Sequence, residues 1–349
     1  MPEVILYSFV FVVTYLGVRY FRFWSLKKNL LDVPNERSSH TMPTPRGGGL
    51  IIVLTSLFAY VFYNKITGRD FSGSFVLGAF IIALVSWLDD LFSISFVWRF
   101  LVHSIAAILF ISATGYFTEI YIPFGGIFDL RFFGSILTFV WIVWLTNAFN
   151  FMDGIDGLAG MQAVTAGIGW LIIGKISGFD GASVLGGVLA ISSLGFLLQN
   201  WQPARIFMGD VGSAFLGFSF AVLPMLAKSE LAEHNFTPRL LPLIAISLVW
   251  LFFFDTVLTF FRRFLKGEKV WQAHRGHIYQ KLVISGYSHR FVSILYGTAC
   301  GLTGLFLIYG LRQKEISLSE TVPVIVLQSL ALLGILYFPK QKRFKRSAE

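Results

Sequence analysis

An all-α bundle of about eleven membrane-spanning helices is the fold the sequence predicts. Three observations predict it. Of the 349 residues, 55% are apolar or aromatic and only 13% are charged, about half the roughly 25% carried by soluble domains. The mean hydropathy is +0.71. Apolar runs recur along the whole chain, and about 20 such residues suffice to cross the hydrocarbon core. A water-soluble globule, a disordered chain and a collagen-like fibre are excluded. Eleven spans leave no room for a separate soluble domain, so residues 1–349 read as one integral-membrane domain.

The spans are expected near 4–21, 50–63, 75–88, 97–115, 133–148, 159–177, 182–198, 213–227, 240–261, 291–311 and 321–338. The first is not a cleavable signal: Glu3 precedes it while Arg19, Arg22, Lys27 and Lys28 follow it, the reverse of a basic n-region. It is expected to stay, with the N-terminus outside and the C-terminus in the cytoplasm. The cytoplasmic loops then fall near 22–49, 89–96, 149–158, 199–212 and 262–290. With that orientation about 20 of the 28 basic residues lie inside, as the positive-inside rule requires. The +9 net charge is therefore a topology signal, and no nucleic-acid partner is needed to explain it. The basic tail Lys340, Lys342, Arg343, Lys345 and Arg346 is expected to anchor at anionic membrane lipids. The single cysteine, Cys300, makes no internal disulfide and no cysteine-rich metal site.

The acids carry the functional signal. Asp89, Asp90, Asp153, Asp156, Asp210 and Asp255 all fall at the cytoplasmic ends of spans or in the adjoining loops. A transporter usually places its ionisable groups at the midplane beside broken helices, and neither feature is evident in the sequence. A transporter or lipid flippase is the alternative from another class. The distribution describes a cleft at headgroup level, which a lipid-linked phosphate and a soluble nucleotide can both reach.

Asp89 and Asp90 end an apolar helix, where negative charge opposes the helix dipole. A hard cation such as Mg²⁺ or Mn²⁺ resolves that conflict, because it takes carboxylate oxygens and bridges to phosphate. Asn147, Asn150, Asp153 and Asp156 recur every three residues and lead into Gly157. Continued as a helix, the first three share one arc of about 120°. Capping alone needs fewer polar groups. Gly209-Asp210-Val211-Gly212-Ser213 precedes the eighth span, with Asp210 at a helix start that suits both a cap and an anion. Asp255 sits near the inner end of the ninth span, before Arg262 and Arg263.

The ninth loop reads Trp271-Gln272-Ala273-His274-Arg275-Gly276-His277-Ile278-Tyr279-Gln280. Two histidines without further close ligands do not make a zinc site. Imidazole, guanidinium and amide groups together suit diphosphate and sugar hydroxyls. The first loop carries Asp32-Val33-Pro34-Asn35-Glu36-Arg37-Ser38-Ser39-His40 and Thr44-Pro45-Arg46-Gly47-Gly48-Gly49. Its prolines and glycines make a shaped turn, but it lacks the Gly-Lys-Ser/Thr of a P-loop.

In this order, these segments resemble the polyprenyl-phosphate N-acetylhexosamine-1-phosphate transferases (glycosyl transferase family 4, MraY-like). That superfamily also contains phospho-N-acetylmuramoyl-pentapeptide transferase. The resemblance runs from about residue 30 to 290. It implies transfer of a sugar 1-phosphate from a UDP-N-acetylhexosamine to undecaprenyl phosphate, releasing UMP, with Mg²⁺ or Mn²⁺, at a bacterial inner membrane. The catalytic residues it implies are Asp89, Asp90 and Asp210, one of the pair deprotonating or orienting the lipid phosphate. Metal ligation is assigned to Asp210 and Asp153. Asn147, Asn150, Asp153, Asp156 and Arg46 are assigned to the nucleotide and diphosphate, and His274, Arg275 and His277 to the sugar and diphosphate. A homodimer is left open, as is the choice between direct attack and a phospho-aspartyl intermediate.

Two departures from the family pattern stand out. Ser93 occupies a position where many relatives have Asp or Lys, so that role is absent or passes to another residue such as Arg99. The ninth loop lacks the triple histidine of the murein-precursor enzymes. It looks like the branch that initiates O-antigen or other surface glycans with N-acetylfucosamine, N-acetylquinovosamine or N-acetylglucosamine. A CDP-alcohol phosphotransferase is disfavoured because Asp153-Gly-Ile-Asp-Gly-Leu has no Ala-Arg after its first Asp-Gly.

Overall fold

Each predicted apolar run is helical in the computed structural model, which describes residues 2–34, 42–122, 124–230, 238–270, 274–312 and 321–337. Expectations for residues 35–40, for 271–273 and for the basic tail from Lys340 to Arg346 lie outside the described residues. In chain order the helices are α1 (Pro2–Lys27), α2 (Gly49–Ile66), α3 (Gly73–Phe92), α4 (Phe96–Thr114), α5 (Phe133–Met152), α6 (Leu158–Ser177) and α7 (Asp180–Asn200). They continue with α8 (Asp210–Ser229), α9 (Leu241–Leu248), α10 (Trp250–Leu265), α11 (Ile278–Ile284), α12 (His289–Arg312) and α13 (Thr321–Tyr337). Two short antiparallel pairs decorate the ends: β1 (Leu31–Asp32) with β2 (Thr44–Pro45), and β3 (Glu119–Ile122) with β4 (Gly126–Asp129).

Among the described residues, nine helices are long and apolar enough to cross a membrane, and α9 with α10 forms a tenth crossing if counted together. The 17 residues of α13 lie at the short end of what a crossing needs. The chain is thus a polytopic helical membrane protein. Peripheral helices such as α4 turn Trp98, Ile105 and Ile108 outward, as a helix solvated by lipid tails does. The opposite extreme is α8, in which every residue from Val211 to Ala227 is buried. It packs against α2, α3, α5, α7 and α9. The N-terminus of α8, and with it Asp210, therefore lies among the helix ends that surround it.

The ninth span departs from the straight segment expected near 240–261. Between α9 and α10 the axis bends by 74° at Val249, whose φ of −121° and ψ of 20° are not helical. No proline or glycine marks the break. Its cause is tertiary: the Leu248 carbonyl accepts from Gln162 Nε2 at 2.8 Å and from Cys300 Sγ at 2.9 Å. Side chains that capture a carbonyl in this way interrupt the helical ladder. This is the discontinuous helix that the hydrophobic pattern did not reveal.

The two ends of the bundle differ in chemistry. One end gathers ion pairs of Arg69 and Lys175 with Asp180, and of Lys175 with Glu3. There Glu230 also accepts the first N–H groups of α7, from Gly181 and Ala182. The other end brings together all five loops expected on the cytoplasmic side, and with them the acidic motifs.

Candidate active site

The first loop is built onto the start of α8 by backbone pairing. Phe207 N donates to Pro45 O at 2.8 Å, Gly48 N to Phe207 O at 3.0 Å, and Gly49 N to Met208 O at 2.8 Å. Gly49 and Gly212 allow this approach, since a Cβ on Gly49 would stand 2.4 Å from the Gly212 Cα. The Gly-rich segment and the Phe207–Met208 strip thus form one scaffold. Arg46, carried by that scaffold, donates through Nη2 to the Asp90 carbonyl at the end of α3.

Asp89 and Asp90 separate in space. Asp90 is 2% exposed, and its two carboxylate oxygens accept from Asp210 N and Val211 N, each at 3.1 Å. Asp90 therefore caps α8 from another helix and satisfies two of its orphan donors. Gly209 makes room for it: its φ is +78°, and a Cβ there would lie 2.6 Å from Asp90 Oδ2. Asp89 points into the site instead. Arg99 Nη1 donates to Asp89 Oδ2 at 2.6 Å and also to Asp210 Oδ2. One guanidinium thus joins α3, α4 and α8. Ser93 ends α3 in a left-handed conformation, its N–H donating to the Asp89 carbonyl.

Asp153 follows the last turn of α5. Among the described residues no donor hydrogen-bonds its carboxylate and no basic side chain pairs with it. Burial, followed by the charges of Asp210, Asp90 and Asp156, pushes its carboxyl well above the ordinary range. Asp153 and Asp210 therefore fit a shared hard cation. Among the described residues no group of three or more acidic, histidine or cysteine side chains is placed to hold a metal. The fit is to an ion that completes its shell with water and phosphate oxygens, the usual habit of Mg²⁺.

The rest of the polar stripe divides. Asn147 Nδ2 donates to the Val143 carbonyl at 2.7 Å, and Asn150 Nδ2 donates to Ser213 Oγ at 3.2 Å, linking α5 to α8. Asp156 is tied to two neighbouring segments. Its carboxylate accepts from Ala204 N at 3.0 Å and lies 3.4 Å from His289 Nδ1, while its carbonyl accepts from Ser293 Oγ. That geometry makes it a brace between the loop after α7 and α12.

The ninth loop stands against α10. His274 and His277 stack with ring centroids 4.9 Å apart. Burial, then His277, Arg263 and Arg262, holds the His274 imidazole down to about 4, so it is neutral at neutral pH. His274 Nδ1 accepts from Gly276 N, and Arg262 donates to the Gly276 carbonyl. Arg275 is exposed. Asp255, which the sequence places near this loop without a task, accepts from His277 Nδ1 and from Ile278 N and Tyr279 N. Tyr279 in turn donates to the Phe151 carbonyl at 2.9 Å.

A cavity of about 340 Å³ runs between α4, α5 and α10. Phe96, Phe100, Val140, Val143, Trp144 and Phe260 give it apolar walls, while Asn147, Arg263, His274 and His277 form a polar end. Phe96 and Phe100 bracket Arg99 on α4, so the groove adjoins the acidic cluster. Acids, a guanidinium and an apolar channel in one place suit a reaction between a charged group and one carried on a hydrocarbon chain.

These features define a polytopic membrane transferase, and comparison with known proteins gives its family. The profile of glycosyl transferase family 4 matches residues 72–228. The chain is 34% identical over 274 residues to the probable undecaprenyl-phosphate N-acetylglucosaminyl 1-phosphate transferase of Bacillus subtilis, covering 76% of this chain and 73% of that one. It is 29% identical over 315 residues to the decaprenyl-phosphate N-acetylglucosaminephosphotransferase of Mycobacterium leprae (81% and 77% covered). It is 27% identical over 371 aligned positions to the undecaprenyl-phosphate alpha-N-acetylglucosaminyl 1-phosphate transferase of Yersinia pestis (97% and 90%). The chain belongs to glycosyl transferase family 4 and is a phosphoglycosyl transferase.

Proposed function

We propose that this protein transfers an N-acetylhexosamine 1-phosphate from a UDP-sugar to undecaprenyl phosphate, leaving UMP. The names of its relatives favour N-acetylglucosamine over N-acetylfucosamine and N-acetylquinovosamine as the sugar. The observation that carries the reading is the Asp89–Arg99–Asp210 cluster, with Arg99 set on α4 between Phe96 and Phe100, which line an apolar groove. The groove takes the first isoprene units of the acceptor and delivers its phosphate to Arg99. In this reading the site faces the cytoplasm of a bacterial inner membrane, where UDP-sugars are found, and the product starts an O-antigen or related surface glycan.

The reaction forms one P–O bond and breaks another. An oxygen of the lipid phosphate attacks the phosphorus that bears the sugar, and the bond from that phosphorus to the UMP oxygen breaks in line. Phosphoryl transfer of this kind needs alignment and charge neutralisation more than covalent groups. Arg99 holds the incoming phosphate against Asp89, which orients it and accepts a proton if it arrives as the monoanion. Asp90, committed to α8, fixes Asp210. Asp153 and Asp210 would hold Mg²⁺ or Mn²⁺, which supplies neutralisation of the diphosphate charge. Asn147, His274 and His277 line the groove, and with Arg275 of the same loop they would meet the sugar and diphosphate. A dianionic acceptor needs no phospho-aspartyl intermediate, so direct attack is the preferred course.

The test incubates membranes containing the protein with Mg²⁺, undecaprenyl phosphate and a panel of UDP-N-acetylhexosamines. The expected products are UMP and a lipid-diphosphate sugar, best with UDP-N-acetylglucosamine. Stoichiometric UDP would contradict the mechanism whichever sugar is accepted.

A further inference from the structure

Asp255 is 0% exposed, and five donors converge on its carboxylate. Oδ1 accepts from His277 Nδ1 at 3.1 Å, Ile278 N at 2.8 Å and Thr259 Oγ1 at 3.2 Å. Oδ2 accepts from Tyr279 N at 3.1 Å and Tyr296 Oη at 2.9 Å. Those groups come from α10, the ninth loop, the first turn of α11 and α12. A carboxylate is acceptor-only, so the proton in its contact with His277 lies on Nδ1. The other ring nitrogen, Nε2, is left for a different partner. Nδ1 is the ring nitrogen that meets Asp255, and His277 lines the polar end of the groove. The ring is also held by its neighbours: it stacks on His274 and lies near Phe151 and Tyr279, with centroids 6.2 and 5.8 Å away.

We propose that Asp255 is a positioning residue that fixes His277 with Nδ1–H turned inward, so that Nε2 is offered to the bound donor as a hydrogen-bond acceptor. The four other donors solvate the carboxylate charge, so Asp255 has no need of a cationic histidine. An acceptor at that point suits a sugar hydroxyl or the acetamido N–H, and does not suit an unprotonated phosphate oxygen. His277 thereby becomes a contact to the sugar, while the diphosphate is left to the acids and the cation they would hold, and to Arg275. This assignment rests on the transferase reading above.

The test uses the full-length protein, labelled with ¹⁵N-histidine and held in lipid nanodiscs. The His277 signals are identified by their loss in His277→Asn, whose amide keeps an N–H where Nδ1 stands. The wild-type protein is expected to show a protonated Nδ1 and an unprotonated Nε2, and Asp255→Asn a mixture of tautomers. A wild-type Nε2–H tautomer, or free averaging between the two, overturns the proposal. In UMP release, Asp255→Asn and His277→Asn should each lower kcat/KM about tenfold to a hundredfold, the range for partners that orient a ligating histidine. The double variant should fall no further than the poorer single within about threefold, and losses that multiply overturn the proposal. Tyr296→Phe removes a different donor from Asp255 and should stay within about threefold of wild type. If Asp255→Asn does not fold, the wild-type spectrum still decides. If wild-type protein releases no UMP, the transferase reading fails, and the tautomer measurement decides this assignment separately.

Discussion

Asp90 is committed to the first turn of α8, because Asp210 N and Val211 N each donate to one of its oxygens. Asp89 pairs instead with Arg99, which it shares with Asp210. The two neighbours therefore fail differently when changed. Asp90→Asn sets an amide NH₂ against one of the two N–H donors and loses charge-assisted bonds of roughly 1.5–3 kcal/mol. Its thermal midpoint in detergent should drop clearly below wild type. Asp89→Asn should keep the wild-type midpoint and lose turnover. Asp210→Asn removes a hard anionic ligand, so at about 1.4 kcal/mol per tenfold its turnover should fall at least about a hundredfold with folding intact. The check is a melting curve beside an activity assay for each variant. A stable, inactive Asp90→Asn with an active Asp89→Asn would reverse the assignment. The existence of the pair was legible in sequence, because two acids closing an apolar helix are conspicuous. Their division was not, since it depends on Gly209 bringing a backbone from 120 residues away within reach of only one of them.

At the scale of elements, the site depends on helices that end at one place and on one helix that breaks. The ends were legible: capping residues, glycines and polar stripes punctuate the apolar runs at Ser93, Asp153, Gly157 and Gly209. The break at Val249 was not, because it is imposed by Gln162 and Cys300 from α6 and α12 rather than by a local proline or glycine. Without it α10 would continue the line of α9. With it, α10 forms one wall of the groove. The groove's role in holding the acceptor can be tested on that wall's opposite side. Val140 lines it and is 48% exposed, so Val140→Trp adds bulk without disturbing the packed interior. The KM for undecaprenyl phosphate should rise about tenfold or more, equivalent to roughly 1.4 kcal/mol of lost binding, while the KM for the UDP-sugar stays near wild type. Equal effects on both substrates would place the lipid elsewhere.

Over the whole molecule, composition sufficed for the fold class, and the order of five polar segments sufficed for the family. What held the rest back is that the site is assembled almost entirely by contacts between distant segments. Arg99, paired with Asp89, reaches Asp210 across 111 residues, and Asp255 gathers donors from three other elements of the chain. Neither partnership has a local pattern. Asp156, expected from its place in a regular polar stripe to serve the nucleotide and diphosphate, also holds Ala204 and α12. The account as a whole claims that this end of the bundle breaks a nucleoside diphosphate between its two phosphorus atoms. Supplying UDP-N-acetylglucosamine labelled with ³²P at the phosphate next to the sugar, together with undecaprenyl phosphate, tests that claim directly. The account predicts that the label moves into the lipid product while the released nucleotide is unlabelled UMP. Label recovered in UDP, with an unlabelled lipid product, would contradict it.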